Sequence, residues 1–307
     1  MLATIDAGSN TLRLLVGEVI AGKVVPQFYM RRICRLAGGF TEEKGLSPAA
    51  MERTLFAFQE FSETCRQLGV RKLSAVGTAA FRQAVNGEDF VSKIKQATQL
   101  PLEIISGDRE AEYMANGVLS ALDPMPKQAL ILDIGGGSTE FVLSLQQKVV
   151  WSRSLPLGVV RLTEGYLSTE QRYLAIDDVL TELVVELNKV CQSVAVDLNA
   201  LTLVGTAGTV TTLAALDLQM KEYDWCRINN YSLPLSRLQR WQSKLTPLSS
   251  AEREALPGME AGRGDLIVSG LEIILCMMSK LNNDFLIVSD FGILEGLLLS
   301  LQESDKP

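Results

Sequence analysis

The sequence predicts an α/β protein of two similar lobes, and three observations carry that expectation. Strand-like apolar runs alternate with helix-like ones along the whole chain, the pattern of layered α/β folds. The opening is echoed 127 residues later, where Ile5-Asp6-Ala7-Gly8-Ser9-Asn10-Thr11-Leu12-Arg13-Leu14 is matched by Leu132-Asp133-Ile134-Gly135-Gly136-Gly137-Ser138-Thr139-Glu140-Phe141. A length of 307 residues suits two domains, each large enough to bury its own core.

The elements follow in order. Residues 2–8, 11–20 and 23–30 read as three successive strands, followed by Arg31, Arg32, Arg35 and a Gly38-Gly39 loop. Ser47-Pro48 pairs a capping hydroxyl with a first-turn proline, and apolar spacing through Leu55, Phe58 and Phe61 predicts a helix over 49–68 that stops at Gly69. A strand at 73–77 leads through Thr78–Ala84 to Asn86-Gly87 and a helix ending near Thr98; a strand at 102–105 then meets Ser106-Gly107-Asp108 and a helix from 109 to about 122. Pro124 and Pro126 mark the expected boundary, with lobes at 1–122 and 123–307 and the terminal helix, 292–307, packing back on the first lobe. The second half repeats the plan, with strands near 129–134, 139–145 and 148–155, a short helix at 159–166 and a long one at about 176–198. A strand at 201–205 opens through Gly205-Thr206-Ala207-Gly208-Thr209 into a helix to Leu216, and residues 219–262 read as irregular with helical pieces. Helix at 263–281, strand at 285–289 and an apolar helix at 292–301 complete the chain.

Composition narrows the chemistry. The chain has no histidine, which excludes imidazole acid–base work, phosphohistidine intermediates and histidine metal sites, leaving carboxylates, hydroxyls, arginines, backbone amides and a hard metal ion. Five cysteines, widely spaced and without a Cys-x-x-Cys pair, suggest free thiols of a cytoplasmic protein rather than disulfides or a zinc site. A net charge of −7 argues against a nucleic-acid surface, and no apolar run reaches the roughly 18 residues needed to cross a bilayer.

The two echoed segments supply the candidate site. A strand opening through Asp-x-Gly into a second strand suits a phosphate-binding hairpin: glycine lets backbone N–H groups approach anionic oxygens, hydroxyls add donors, and the aspartate can face a metal. The candidate phosphate binders are therefore Gly8, Ser9, Asn10 and Thr11 in one turn and Gly135, Gly136, Gly137, Ser138 and Thr139 in the other. Gly208 and Thr209 join them if the Gly205–Thr209 turn presents its N–H groups to an anion, the alternative being a plain helix cap. The arginines 31, 32 and 35 read equally as a solvated strand face or as an anion path.

Taken together, Ile5–Thr11, Gly77–Asn86, Ile105–Ala111, Leu132–Glu140, Leu155–Leu162, Gly205–Thr212, Arg263–Gly270 and Ser289–Gly296 resemble the exopolyphosphatase / guanosine pentaphosphate phosphohydrolase family nearly end to end. The resemblance implies two actin-like (ribonuclease H-like) lobes with a ligand cleft between them. It implies Glu110 as general base, Asp133 and Glu140 as catalytic carboxylates positioning metal and water, and Arg82 on phosphate. Read from its position alone, Glu110 is a first-turn helix carboxylate. Mg²⁺ is the expected cofactor, with Asp6, Asp133 and Glu140 as its ligands. The expected activity is hydrolysis of terminal phosphoanhydride bonds of inorganic polyphosphate, or of guanosine pentaphosphate. A sugar- or acid-kinase-like ATPase and a non-catalytic alarmone sensor are the readings of other classes. A homodimer is compatible with an exposed apolar helix face. Longer members carry a histidine–aspartate type extension that a histidine-free chain does not match, and Asn229-Asn230 stand where many relatives have histidine and glycine.

Overall fold

Strands β1 (Leu2–Ala7), β2 (Thr11–Ile20) and β3 (Lys23–Ile33) run as antiparallel neighbours because the links between them are only two or three residues long. The β2–β3 link is the pair Ala21-Gly22, both in the left-handed region (φ 51 and 78), the backbone twist that a two-residue hairpin needs. Ser47 caps α1 (Pro48–Gln67), its Oγ accepting from the Ala50 amide. Next come β4 (Lys72–Gly77), parallel to β1, then α2 (Ala79–Gln83), α3 (Gly87–Thr98), β5 (Leu102–Ile104) and α4 (Gly107–Ser120). The resulting sheet has the order β3-β2-β1-β4-β5.

The same plan is then laid down again. β6 (Gln128–Ile134), β7 (Thr139–Leu145) and β8 (Lys148–Leu155) form an antiparallel meander, followed by α5 (Val159–Gly165), α6 (Thr169–Ser193) and a 3₁₀ turn at Leu198–Ala200. β9 (Thr202–Thr206) lies parallel to β6 and feeds α7 (Ala207–Asp217) and α8 (Trp225–Ile228). β10 (Ser232–Pro234), α9 (Leu235–Leu245), α10 (Ser250–Glu254), α11 (Ile267–Lys280), β11 (Phe285–Val288) and α12 (Ile293–Glu303) finish the chain. The second sheet, β10-β11-β9-β6-β7-β8, repeats the first with one edge strand added. Even the irregularity is copied: the β2/β3 register slips between Val16 and Gly17, and the β7/β8 register slips between Leu143 and Ser144, 127 residues on.

The computed structural model describes residues 1–303 apart from 42 and 167, with Glu303 described in its backbone only. It divides into two units, Met1–Ser120 together with the chain from Gly292 onward, and Ala121–Phe291. The first unit packs α1 and α3 on one face of its sheet around Leu12, Leu14, Phe58, Phe61 and Phe90. On the other face Thr4 Oγ1 donates to the Leu294 carbonyl (3.0 Å) and Lys72 Nζ to the Leu301 carbonyl (2.8 Å), tying α12 to β1 and β4. The second unit buries a larger core, in which Leu132, Phe141, Leu180, Leu203, Leu213 and Ile273 are fully enclosed.

The structure departs from the sequence expectation in three places. α6 starts at Thr169 rather than near 176, because Ser168 Oγ caps it by accepting from the Gln171 amide. α11 starts at Ile267 rather than Arg263, since the preceding residues form a turn. β10 was not expected; it is a three-residue edge strand made by pairing with β11.

Candidate functional site

In open α/β sheets ligands gather at the carboxyl ends of the parallel strands. In the first unit these ends are Ala7, Gly77 and Ile104, from which the Gly8–Asn10 turn, Thr78 with α2, and Ser106 with α4 emerge. The turn is closed by the Gly8 amide donating to the Thr11 carbonyl at 3.0 Å. Thr78 is buried and anchors α2 by donating to the Ala7 carbonyl from both its amide (3.2 Å) and its Oγ1 (3.3 Å). Arg82, in the last turn of α2, donates through Nη1 to the Ile105 carbonyl (2.8 Å) and to Glu110 Oε2 (3.2 Å). Arg82 and Glu110 are thus brought together from positions 28 apart, each side chain 34% exposed and so open to solute. Asp6 is buried opposite Arg13 in the β1/β2 register, and its Oδ2 accepts from Arg13 Nε (2.9 Å) and Nη2 (2.5 Å).

The second unit has the same construction with different charges. The carboxyl ends are Ile134, Thr206 and Val288, and the Gly135 amide closes its turn onto the Ser138 carbonyl, again at 3.0 Å. Asp133 lies opposite Glu140 in the β6/β7 register, at the position equivalent to Asp6 opposite Arg13. Glu140 Oε1 is oriented by two hydroxyls, Ser138 Oγ at 2.5 Å and Ser154 Oγ at 2.8 Å. Where the first unit pairs a carboxylate with a guanidinium, the second sets two carboxylates side by side. Like charges directly opposite on neighbouring strands repel, so this pair is suited to a cation.

The remaining candidates separate by burial. Ser9, Asn10 and the three glycines 135–137 sit in the two turns. Thr139 is enclosed, with its Oγ1 donating to the Leu157 carbonyl (2.6 Å), and Thr209 is enclosed against Gly270 of α11. Gly208 lies in the first turn of α7 with the Arg263 guanidinium laid across it: a Cβ there would fall 1.6 Å from Arg263 Nη2. Arg263 is held in turn by Glu260. Among the described residues no group of three or more acidic or cysteine side chains converges.

Sequence reasoning missed three participants. Arg13 and Ser154 act through cross-strand neighbours and carry no motif of their own. Asp290, two residues past β11, is half-buried, with Tyr223 Oη donating to its Oδ1, and its amide donates to Asn229 Oδ1 (2.6 Å). Burial, with Glu260 nearby, pushes the Asp290 carboxyl above the usual range, and burial beside Asp290 pushes the Tyr223 phenol up as well. The Asn229-Asn230 pair therefore has a structural task, since Asn230, at φ 65, donates from its amide to the Val288 carbonyl (2.8 Å) and from Nδ2 to the Asp123 carbonyl (2.7 Å).

The chain is similar to known proteins along its length. A profile of the Ppx/GppA phosphatase family matches residues 15–305. The chain is 33% identical over 314 residues to Exopolyphosphatase 2 of Mycobacterium tuberculosis, covering 98% of each chain. It is 30% identical over 309 residues to guanosine-5'-triphosphate,3'-diphosphate pyrophosphatase of Aeromonas salmonicida, covering 98% of this chain and 59% of that one. A crystal structure of the Ppx/GppA family member of Aquifex aeolicus matches with a TM-score of 0.84 at 29% identity, over 100% of this chain and 99% of the other.

Proposed function

Because the chain belongs to the Ppx/GppA phosphatase family, we propose that it is a Mg²⁺-dependent exopolyphosphatase, releasing orthophosphate by hydrolysing the terminal phosphoanhydride bond of inorganic polyphosphate. The carrying observation is the paired turn: one backbone design used twice, with Arg13 in one copy where Glu140 stands in the other. One copy pairs its buried carboxylate with a guanidinium, and the other places two carboxylate residues, hard oxygen donors, opposite one another.

Phosphoryl transfer asks little covalent chemistry of a protein; it needs charge neutralisation and a placed nucleophile. Glu110 accepts a proton from the attacking water as its oxygen bonds to the terminal phosphorus and the bridging P–O bond breaks, leaving a polyphosphate shorter by one phosphate. Arg82, already on Glu110 Oε2, fixes that carboxylate and adds a positive charge beside the phosphate. Within the first unit the amides of Ser9 and Asn10 and the Ser9 hydroxyl suit phosphate oxygens; within the second the amides of Gly136, Gly137 and Ser138 and the α7 turn at Gly208 do so. Asp133 and Glu140 suit Mg²⁺, which takes one or two carboxylates and completes its shell with water and phosphate oxygens. Asp6, with Oδ2 on Arg13, has its other oxygen to offer. When bound, the ion would neutralise phosphate charge and polarise the water.

The test is phosphate release from tripolyphosphate, long-chain polyphosphate and guanosine pentaphosphate, each with and without Mg²⁺. Mg²⁺-dependent release from polyphosphate supports the proposal; silence on all three with Mg²⁺ present defeats it. Release from guanosine pentaphosphate alone would favour the second reading, which the Aeromonas relative motivates. Glu110→Gln keeps the shape and the contact to Arg82 but removes the base, so kcat should fall by about 10²–10⁴ while substrate affinity stays within a few fold. The same reading places the enzyme in the cytoplasm as a homodimer, which sizing chromatography checks. No helix among the described residues is long and apolar enough to cross a membrane.

A further inference from the structure

In each unit the segment after the third strand folds back onto the candidate phosphate turn and delivers one exposed arginine there. After β3, the Cys34 and Arg35 amides donate to the Asn10 carbonyl (2.9 and 2.8 Å) and the Ala37 amide to the Ser9 carbonyl (2.8 Å). After β8, the Val159 amide donates to the Gly135 carbonyl (3.0 Å), and those of Val160 and Arg161 to the Gly136 carbonyl (2.9 and 3.3 Å). Arg35 and Arg161 are both exposed, and neither guanidinium has an ion pair or hydrogen bond among the described residues. The other arginines of the first cluster differ: Arg32 is paired with Glu60, and Arg31 is also engaged. Arg35 further sits in the left-handed region (φ 47), rare for a side chain of its size, and is held there by its own amide on Asn10 and by the Gly38 amide on its carbonyl (2.9 Å). Strain of this kind persists where the surroundings impose it, and clusters at ligand sites.

We propose that Arg35 and Arg161 are specificity-determining residues, each contributing a charge-assisted contact to phosphates of a condensed-phosphate substrate beyond the one gripped by its neighbouring turn. The inference rests on the turns being phosphate sites, as in the function proposed above. The chain as a whole carries a charge of −7 and repels a polyanion. Local cations must offset that repulsion, and an arginine with no internal partner can do so without first breaking an ion pair. Guanidinium also matches phosphate with two parallel N–H donors, which ammonium does not. The backbone bonds hold each arginine's Cα beside its turn, so that the flexible part is the side chain alone.

Calorimetric binding of imidotriphosphate, whose P–N–P bridges resist hydrolysis, tests this with Mg²⁺ and without, alongside orthophosphate. Arg35→Gln and Arg161→Gln should each weaken imidotriphosphate binding roughly five- to thirtyfold and leave orthophosphate binding unchanged, with Arg→Lys recovering part of the loss. Arg240→Gln on α9, also exposed, controls for the change in net charge. A loss no greater than that of Arg240→Gln overturns the assignment for that arginine, as does an equal loss of orthophosphate binding. Phosphate release measured on the same wild-type protein separates the two readings. Hydrolysis with unaltered binding in the variants removes only the arginine assignment; arginine-dependent binding without hydrolysis removes only the enzymatic one.

Discussion

Arg13 and Glu140 occupy equivalent cross-strand positions and decide what each turn can hold. Glu140 is the more exposed to test, because glutamine preserves its shape and can still accept from Ser138 and Ser154 through its amide oxygen. Removing one of two like charges facing across a strand pair relieves about 0.2–1 kcal/mol of repulsion, so Glu140→Gln should equal or exceed the wild type in metal-free stability. The same change should remove the thermal stabilisation that Mg²⁺ gives the wild type, which grows with ion concentration as the native state binds it. Melting curves with EDTA and with increasing Mg²⁺ read both effects. A variant destabilised without Mg²⁺, or one still stabilised by it as strongly as the wild type, would show that the pair is not the cation site. The glycine turns, Asp133 and Glu140 were readable in the sequence because contiguous residues make them. Ser154 on Glu140 and Tyr223 on Asp290 were not, because the fold assembles them from positions 14 and 67 apart, and Arg13, although in the echoed segment, meets Asp6 only through the β1/β2 register.

Helices α4 and α12 meet backbone to backbone. A Cβ on Gly296 would fall 1.8 Å from the Tyr113 carbonyl oxygen, and one on Gly117 would fall 1.8 Å from that of Gly292. Glycine is ordinarily the weaker helix former by about 1 kcal/mol relative to alanine, so on propensity alone Gly296→Ala would stabilise. Here the methyl has no room, and overpacking of about 1–3 kcal/mol or more should win. Gly292→Ala, where an added methyl meets open space, should stay within about 0.5 kcal/mol of wild type. Urea unfolding followed by far-ultraviolet circular dichroism compares them; equal midpoints for the two variants would mean that the helices are not in such close contact. Because α4 carries Glu110 in its first turn, the Gly296→Ala loss should extend to activity. Long elements with regular spacing, such as α1, β2 and β7, were legible from the sequence. The short pieces between 219 and 262 were not: β10 has three residues and exists through its bonds to β11, and α8 and α10 span four and five residues. Too few residues lie in such pieces for periodicity to register.

At the scale of the molecule, the chain leaves its first unit at Ser120 and returns to it at Gly292 with α12. α12 is an internal layer of that unit, with Leu297 and Leu298 buried and Gln302 Nε2 donating to the Val19 carbonyl (3.1 Å) at the far end of β2. The first unit therefore depends on residues that are synthesised after the whole of the second, whereas the second is one continuous segment. A chain ending at Phe291 should lose the packing of β1, β2, β4 and α4 while keeping the core of residues 121–291. The tryptophans make this measurable, because Trp151, Trp225 and Trp241 all lie in the second unit. In the shortened chain, tryptophan fluorescence should still report a cooperative urea transition near the wild-type midpoint. Far-ultraviolet circular dichroism should show reduced structure before any urea is added, and proteolysis should cut first within residues 1–120. If the fluorescence transition vanished together with the dichroism, the continuous segment would not hold its own core. If neither changed, α12 would not be the layer that completes the first unit.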